Sequence, residues 1–204
     1  MSKPPKVVLV LLALVLPVGA AHGQGAISDD SLAVLQAEAM RLSAPGPEHD
    51  RLAAMAGEWT ADIKVWMKPG DSPMVFTGTA VNEMILGGRF LISRAVAGEG
   101  DPMRTENFTI LGFDRRHGRY TTVAYDTWGT YYVTAARPFD EATGTITMSG
   151  EEVDPVMKIT QKYEFDCQLV GPDEYVWSTV FKNPEFTGGA PEFKMVEVVH
   201  KRKK

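Results

Sequence analysis

From Glu58 onward, polar and apolar residues alternate in short runs separated by turn residues, a period of two that predicts strands and not helices. Ten strands are expected, near Glu58–Met67, Met74–Leu86, Phe90–Ala97, Thr105–Asp114, Tyr120–Thr127, Thr130–Ala136, Thr143–Gly150, Val156–Cys167, Glu174–Phe181 and Glu192–Arg202. The connections carry turn chemistry: Lys68-Pro69-Gly70-Asp71, Gly87-Gly88, Arg116-His117-Gly118, Trp128-Gly129, Asp140 to Gly144 and Gly171-Pro172-Asp173. No helix is expected among the strands. Most of the gaps suit hairpins, so the chain reads as an antiparallel up-and-down meander, and closing it into a barrel hides both edges. The predicted class is all-β: a barrel of about ten strands preceded by an N-terminal helix.

That helix is the one strong 3.6-residue pattern, Ser28 to Leu42, with Leu32, Leu35, Ala39 and Leu42 on one stripe and Ser28-Asp29-Asp30 at its N-terminus. Ala44-Pro45-Gly46-Pro47 ends it, and a short helix or turn from Glu48 to Met55 leads to Gly57-Glu58-Trp59. The segment is read as a lid or brace on the barrel, or else as a tether. The domain organisation is residues 1–23 as a signal peptide, 24–51 as a helical leader and 52–204 as the barrel.

Alternation assigns the faces. In the first strand Trp59, Ala61, Ile63, Val65 and Met67 share one side and Glu58, Thr60, Asp62 and Lys64 the other. The eighth opposes Met157, Ile159, Tyr163 and Phe165 to Lys158, Thr160, Lys162, Glu164 and Asp166, and the ninth groups Tyr175, Trp177 and Phe181. Aromatic and methionine side chains in such numbers suit a packed core or an apolar pocket.

The N-terminus changes the picture of where the barrel works. Lys3 and Lys6, the apolar run Val7 to Leu16, Pro17 and the small residues around Ala20-Ala21-His22-Gly23 are in the order of a secretory signal. Cleavage is expected before Gln24, or after Ala21, and the product is expected in the periplasm or outside the cell; an uncleaved anchor is the alternative. No later run approaches the ~18 apolar residues of a membrane helix. A single cysteine, Cys167, rules out an intramolecular disulfide, so stability must come from the core. Loss of Lys3 and Lys6 takes the formal charge from −5 to −7, which argues against nucleic acid as a partner.

The stretches Met55-Ala56-Gly57-Glu58-Trp59-Thr60, Lys64 to Gly70 and Thr77 to Leu91, followed by Leu111-Gly112-Phe113-Asp114, Tyr120 and Asp126, resemble the bacterial family known as domain of unknown function 1579. The resemblance runs from about Leu52 to Lys201, with Asn82 to Leu91 its most specific part. It implies a lipocalin-like barrel of about ten strands and no established activity. Where the family pattern leads one to expect a tryptophan two residues before Asp126, this chain has Ala124, with an aromatic at Trp128 instead.

Motifs for known chemistry are sparse. Gly87-Gly88-Arg89 opens no helix and reads as a tight turn in which Arg89 orders the rim, not as a phosphate loop. His49, His117 and His200 form no ligand spacing, read as solvated or incidental, and no metal or cofactor is expected. Cys167 reads as a small buried hydrophobe and the basic end Lys201 to Lys204 as a solvated strand terminus.

Carboxylates on strands are of more interest, because one pointing into a barrel is costly unless paired or functional. Asp126 shares parity with Tyr120, Thr122 and Ala124, Glu197 shares it with Phe193, Met195 and Val199, and Arg89 and Arg94 are candidate partners. The expected ligand-binding set is Glu83, Arg89, Asp126, Trp128, Tyr163, Trp177 and Glu197.

The favoured reading is an exported barrel that binds a small, partly apolar ligand, with no catalytic residue assigned. An enzyme using Asp126 or Glu197 as general acid or base, a haem carrier like nitrobindin and a filled scaffold are the alternatives. Counting by twos along the last strand sets Glu197 inward and His200 outward, which argues against haem; a bulge would exchange the two. Oligomeric state is left open.

Overall fold

In the computed structural model the described residues are 28–100, 102 and 104–204. The signal-like run of residues 1–23 and the cut expected before Gln24 lie outside them. Two compact units are distinguished, one ending at Glu38 and the other running from Ala39 to Lys204. The division falls inside α1, Asp29–Ser43.

Ser28 caps α1 by accepting a hydrogen bond from the Ser31 backbone at 3.2 Å. Leu32, Leu35 and Ala39 of its apolar stripe are exposed and Leu42 is half-buried. The last carbonyls of the helix are held by two arginines: Arg115 Nη1 donates to Arg41 and Ala44, and Arg89 Nε to Ser43. Helix α2, Pro47–Ala54, starts on a proline, where the missing N–H costs nothing. The Gly46 N–H donates to His49 Nδ1 at 3.0 Å, and Leu52 and His49 are buried.

Ten strands follow: β1 Gly57–Val65, β2 Met74–Ile85, β3 Phe90–Ala97, β4 Thr105–Asp114, β5 Arg119–Asp126, β6 Val133–Pro138, β7 Ile146–Val153, β8 Thr160–Gly171, β9 Glu174–Phe181 and β10 Phe193–Arg202. Each pairs antiparallel with the next, and β10 pairs with β1, so the barrel is closed, with β6 and β7 joined at one paired position, Ala136 opposite Ser149. Strands β6 to β8 begin three or four residues later than the alternation predicts. Tyr131 and Tyr132 are exposed loop residues, and the β7–β8 turn is set by Asp154, whose carboxylate accepts from the backbones of Val156 and Met157. Met157 is accordingly exposed, and so is Met67 beyond the end of β1. One element was not foreseen, a single turn α3, Pro184–Thr187, between β9 and β10.

One end of the barrel is filled. Trp59 and Ala61 of β1 are buried while Glu58, Thr60, Asp62 and Lys64 are exposed, as alternation requires. Leu52 and Met55 enter from α2 and meet Trp59, Leu91, Leu111, Tyr120, Ile146, Cys167 and Tyr175 in one cluster. The Met55 carbonyl is the hub: Trp59 Nε1 and Asn82 Nδ2 both donate to it at 2.9 Å, and Cys167 Sγ contacts Met55 Sδ at 3.3 Å. Outside this base the Arg202 guanidinium lies 4.1 Å over the Trp59 ring and donates to the carbonyls of Ala54, Ala56 and Pro172. Gly57 makes room for it. Its φ is +125°, and a Cβ there would sit 2.6 Å from Arg202 Nη1.

The last strand departs from simple counting. The β10–β9 register slips between Lys194 and Val196, a bulge at Met195. Beyond it Val196, Val198 and His200 stand opposite Val65, Ile63 and Ala61, the inward set of β1, while Glu197 stands opposite exposed Lys64. His200 therefore faces inward and Glu197 outward, the reverse of the reading by twos.

Candidate functional site

Burial grades along the barrel axis. At the base the inward residues are closed off, but toward the opposite end, the mouth, inward positions are only half-buried: Ile63, Gly78, Ser93, Ala95, Asn107, Ala124, Val133, Trp177, Thr179 and Val198. These positions are less closely covered than those of the base, and at the β6–β7 seam, joined by one paired position, inward Gly150 and Tyr163 line an open groove of about 370 Å³ with outward Ser149, Glu151, Lys162, Glu164 and Lys182. The inward residues toward the mouth are small on β2 to β5 (Gly78, Ser93, Ala95, Ala124) and larger on β1, β2 and β6 (Ile63, Val65, Met74, Phe76, Val133), while β8 and β9 carry buried Tyr163 and Phe165 and half-buried Trp177 and Phe181.

The interior also holds polar groups. His200 is 8 % exposed and stacks on Tyr175, with ring centroids 4.1 Å apart. The Tyr175 hydroxyl accepts from Asn82 Nδ2 at 3.0 Å. Three inward atoms at buried positions have no protein partner: His200 Nδ1, Asn82 Oδ1 and Thr122 Oγ1. Burial pushes the His200 imidazole down to about 4, so it is neutral near pH 7. Toward the mouth Thr109 Oγ1 donates to Asn107 Oδ1 at 2.7 Å. Among the described residues no lysine or arginine shares the inward register above the base, and the acidic members of that register, Asp126 and Glu152, sit at the mouth.

The expected site residues do not converge. Tyr163 and Trp177 face the interior, with Tyr163 Oη donating to the Thr134 carbonyl at 3.1 Å across the sparsely paired β6–β7 seam. Asp126 has the inward register and lies exposed at the mouth, where it accepts from the Trp128 backbone; Trp128 is an exposed neighbour whose Nε1 donates to Thr105 Oγ1. Glu83 is exposed on the outer wall. Arg89 is at the base, in a turn where Gly87 and Gly88 have positive φ. Glu197 lies on the outer wall between Lys64 and Lys194, beside an open groove of about 420 Å³, and Lys194 holds its carboxyl below the usual range. Arg94 lies over the outward Phe108 ring.

Sequence reading missed His200, Asn82 and Thr122. Asn82 did leave a signal, an amide two residues after Ala80 on the inward parity of an otherwise apolar stretch. His49 and His200 are buried, not solvated, and His117 alone meets the expectation, exposed in its hairpin with Nδ1 2.7 Å from Asp114 Oδ2. Cys167 is fully buried and its thiol is pushed up to about 12 by burial, which suits a packing role. No group of His, Cys, Asp and Glu among the described residues is placed to hold a metal ion.

Residues 44–202 match the family model described as "Protein of unknown function (DUF1579)". The chain belongs to this family. The match spans α2 and all ten strands, so the polar floor and the mouth of this DUF1579 barrel both fall within the family region. No curated protein is significantly similar to the chain. No helix among the described residues is long and apolar enough to cross a membrane.

Proposed function

We propose that this protein is an exported barrel that binds a small, partly apolar molecule without negative charge in the mouth half of its interior. One observation carries the reading: toward the mouth the inward positions are only half-buried, with small side chains on β2 to β5 and aromatics on β8 and β9, above base residues whose polar atoms His200 Nδ1, Asn82 Oδ1 and Thr122 Oγ1 have no protein partner. Aromatic walls supply affinity, and these polar atoms supply orientation. The lack of inward cations above the base and the carboxylates Asp126 and Glu152 at the mouth select against carboxylates and phosphates. Export rests on the order of charged, apolar and small residues before Gln24.

General acid–base catalysis has less support. Glu197 faces out and stays ionised, whereas a catalytic acid needs a raised pKa. Haem ligation regains one supporting observation, since His200 is an inward, neutral imidazole with an unpaired Nδ1. Hemin titration separates the two binding modes: a Soret band that His200→Ala abolishes would favour haem, and its absence favours the organic ligand.

The direct test is mass spectrometry of molecules carried through gentle purification. A stoichiometric neutral or cationic organic molecule is expected, and a stoichiometric fatty acid would contradict the charge argument. Intact mass of the exported material should begin near Gln24; recovery only from the cytoplasm with Met1 or Ser2 intact would contradict export.

A further inference from the structure

The loops at the two ends of the barrel differ. The mouth loops β1–β2, β5–β6 and β7–β8 carry exposed Met67, Trp128, Tyr131, Tyr132, Val156 and Met157, from 53 % to 86 % accessible. The loops at the base carry one comparable residue, Leu86. Exposed apolar side chains scattered singly need no explanation, but three separate loops that concentrate them around one opening do.

These tips are held, not loose. Asp126 accepts from the Trp128 backbone at 2.8 Å, and Trp128 Nε1 is fixed on Thr105. Gly129 lets the Tyr131 ring lie against the turn, since a Cβ there would be 2.2 Å from that ring. In the β7–β8 turn Asp154 Oδ1 accepts from the Val156 and Met157 backbones at 2.8 and 2.7 Å, presenting both side chains outward.

We infer that the mouth docks on an uncharged lipid surface through Met67, Trp128, Tyr131, Tyr132, Val156 and Met157. Tryptophan and tyrosine, with an apolar body and a polar tip, are the side chains enriched where hydrocarbon meets water. The occupant follows from three features. The tips come from separate loops at one end of a rigid barrel with polar residues between them, which suits a flat, deformable surface more than a shaped protein partner. The stretch from Thr127 to Ala136 carries no charge, and the chain's net charge of −5 opposes an anionic surface, so the matching headgroup is zwitterionic. Finally, the rim surrounds the mouth half proposed above as the binding site, and on that reading docking would bring this end of the barrel against the phase in which an apolar molecule dissolves.

The test is flotation of the protein as recovered from cells with phosphatidylcholine vesicles, beside variants carrying the same N-terminus. Binding that is insensitive to salt is expected, and Trp128→Ser, Tyr131→Ser and Val156→Ser combined should lower it at least about tenfold, because each apolar contact adds to interfacial affinity. Brominated phosphatidylcholine should quench tryptophan emission, and Trp128→Phe should remove most of that quenching while leaving flotation nearly intact. Absence of binding, triple-variant binding equal to the parent, or binding only to anionic vesicles that salt abolishes would overturn the proposal. So would a dimer that the triple variant dissociates without any vesicle binding, since that assigns the rim to a second copy of the chain.

Discussion

His200 lies flat against Tyr175, the two ring planes 9° from parallel. The contact joins the last strand to the ninth inside the barrel and keeps the imidazole away from water. In the unfolded chain that imidazole takes up a proton near pH 6.5, and in the folded protein only near 4. Below pH 6.5 the unfolded state binds the proton first, so stability present above that value is lost as the pH falls toward 4. From ~1.4 kcal/mol per pH unit, the loss between pH 7 and pH 5 is about 2 kcal/mol. Urea midpoints should show it in the parent and much less of it in His200→Phe, which keeps the stack without the proton; the lowered His49 leaves a residue of the same sign.

Trp59 joins four parts of the base: the Met55 carbonyl below it, Tyr175 edge-on at 4.8 Å, Arg202 over its outer face and the buried cluster around it. Trp59→Ala should destabilise the protein by about 3–5 kcal/mol, the range for large aromatics in cores. Chemical denaturation measures this, and a loss under ~1 kcal/mol would mean that the base does not depend on the indole.

Cys167 should be inert in the folded state. A thiol raised to about 12 and fully buried presents almost no thiolate, so a disulfide reagent at pH 8 should label it only at the rate of unfolding. Labelling within seconds in native buffer would show that the base opens.

Glu197→Gln should change stability by less than ~1 kcal/mol, because its partners Lys64 and Lys194 are half-exposed and such pairs are weak. Ligand binding should be unaltered in the same variant. A marked loss of binding would place the ligand in the outer groove and not in the barrel.

Much of this architecture was legible in the sequence, for reasons visible in particular residues. Period-two alternation in β1 and β8 predicted strands because each has one face in the core, and the Trp59 parity was unambiguous because its opposite face is polar and charged. Where both faces held apolar residues the reading failed: Val196, Val198 and Val199 cannot signal a side, and one bulged residue at Met195 exchanged Glu197 for His200. The late starts of β6 and β8 have another cause. Tyr131, Val156 and Met157 look like strand residues, yet Asp126 and Asp154 bind the backbone just after them in sequence and hold those segments as turns. The candidate site was harder, since its polar residues Asn82, Thr122 and His200 come from β2, β5 and β10, and no local spacing reports residues so far apart in the chain.

The mouth half of the barrel is proposed here as a binding site and not a packed core. Ala124 tests it directly: it faces inward opposite Thr109 and Val133, is half-buried, and stands where the family resemblance suggests a tryptophan. Titration with the neutral fluorophore N-phenylnaphthylamine should give saturable, blue-shifted emission in the parent and little in Ala124→Trp, whose melting temperature should stay within a few degrees if the indole occupies the proposed ligand space. A variant that binds the probe like the parent, or that loses the ~1–3 kcal/mol typical of an overpacked core, would contradict the claim.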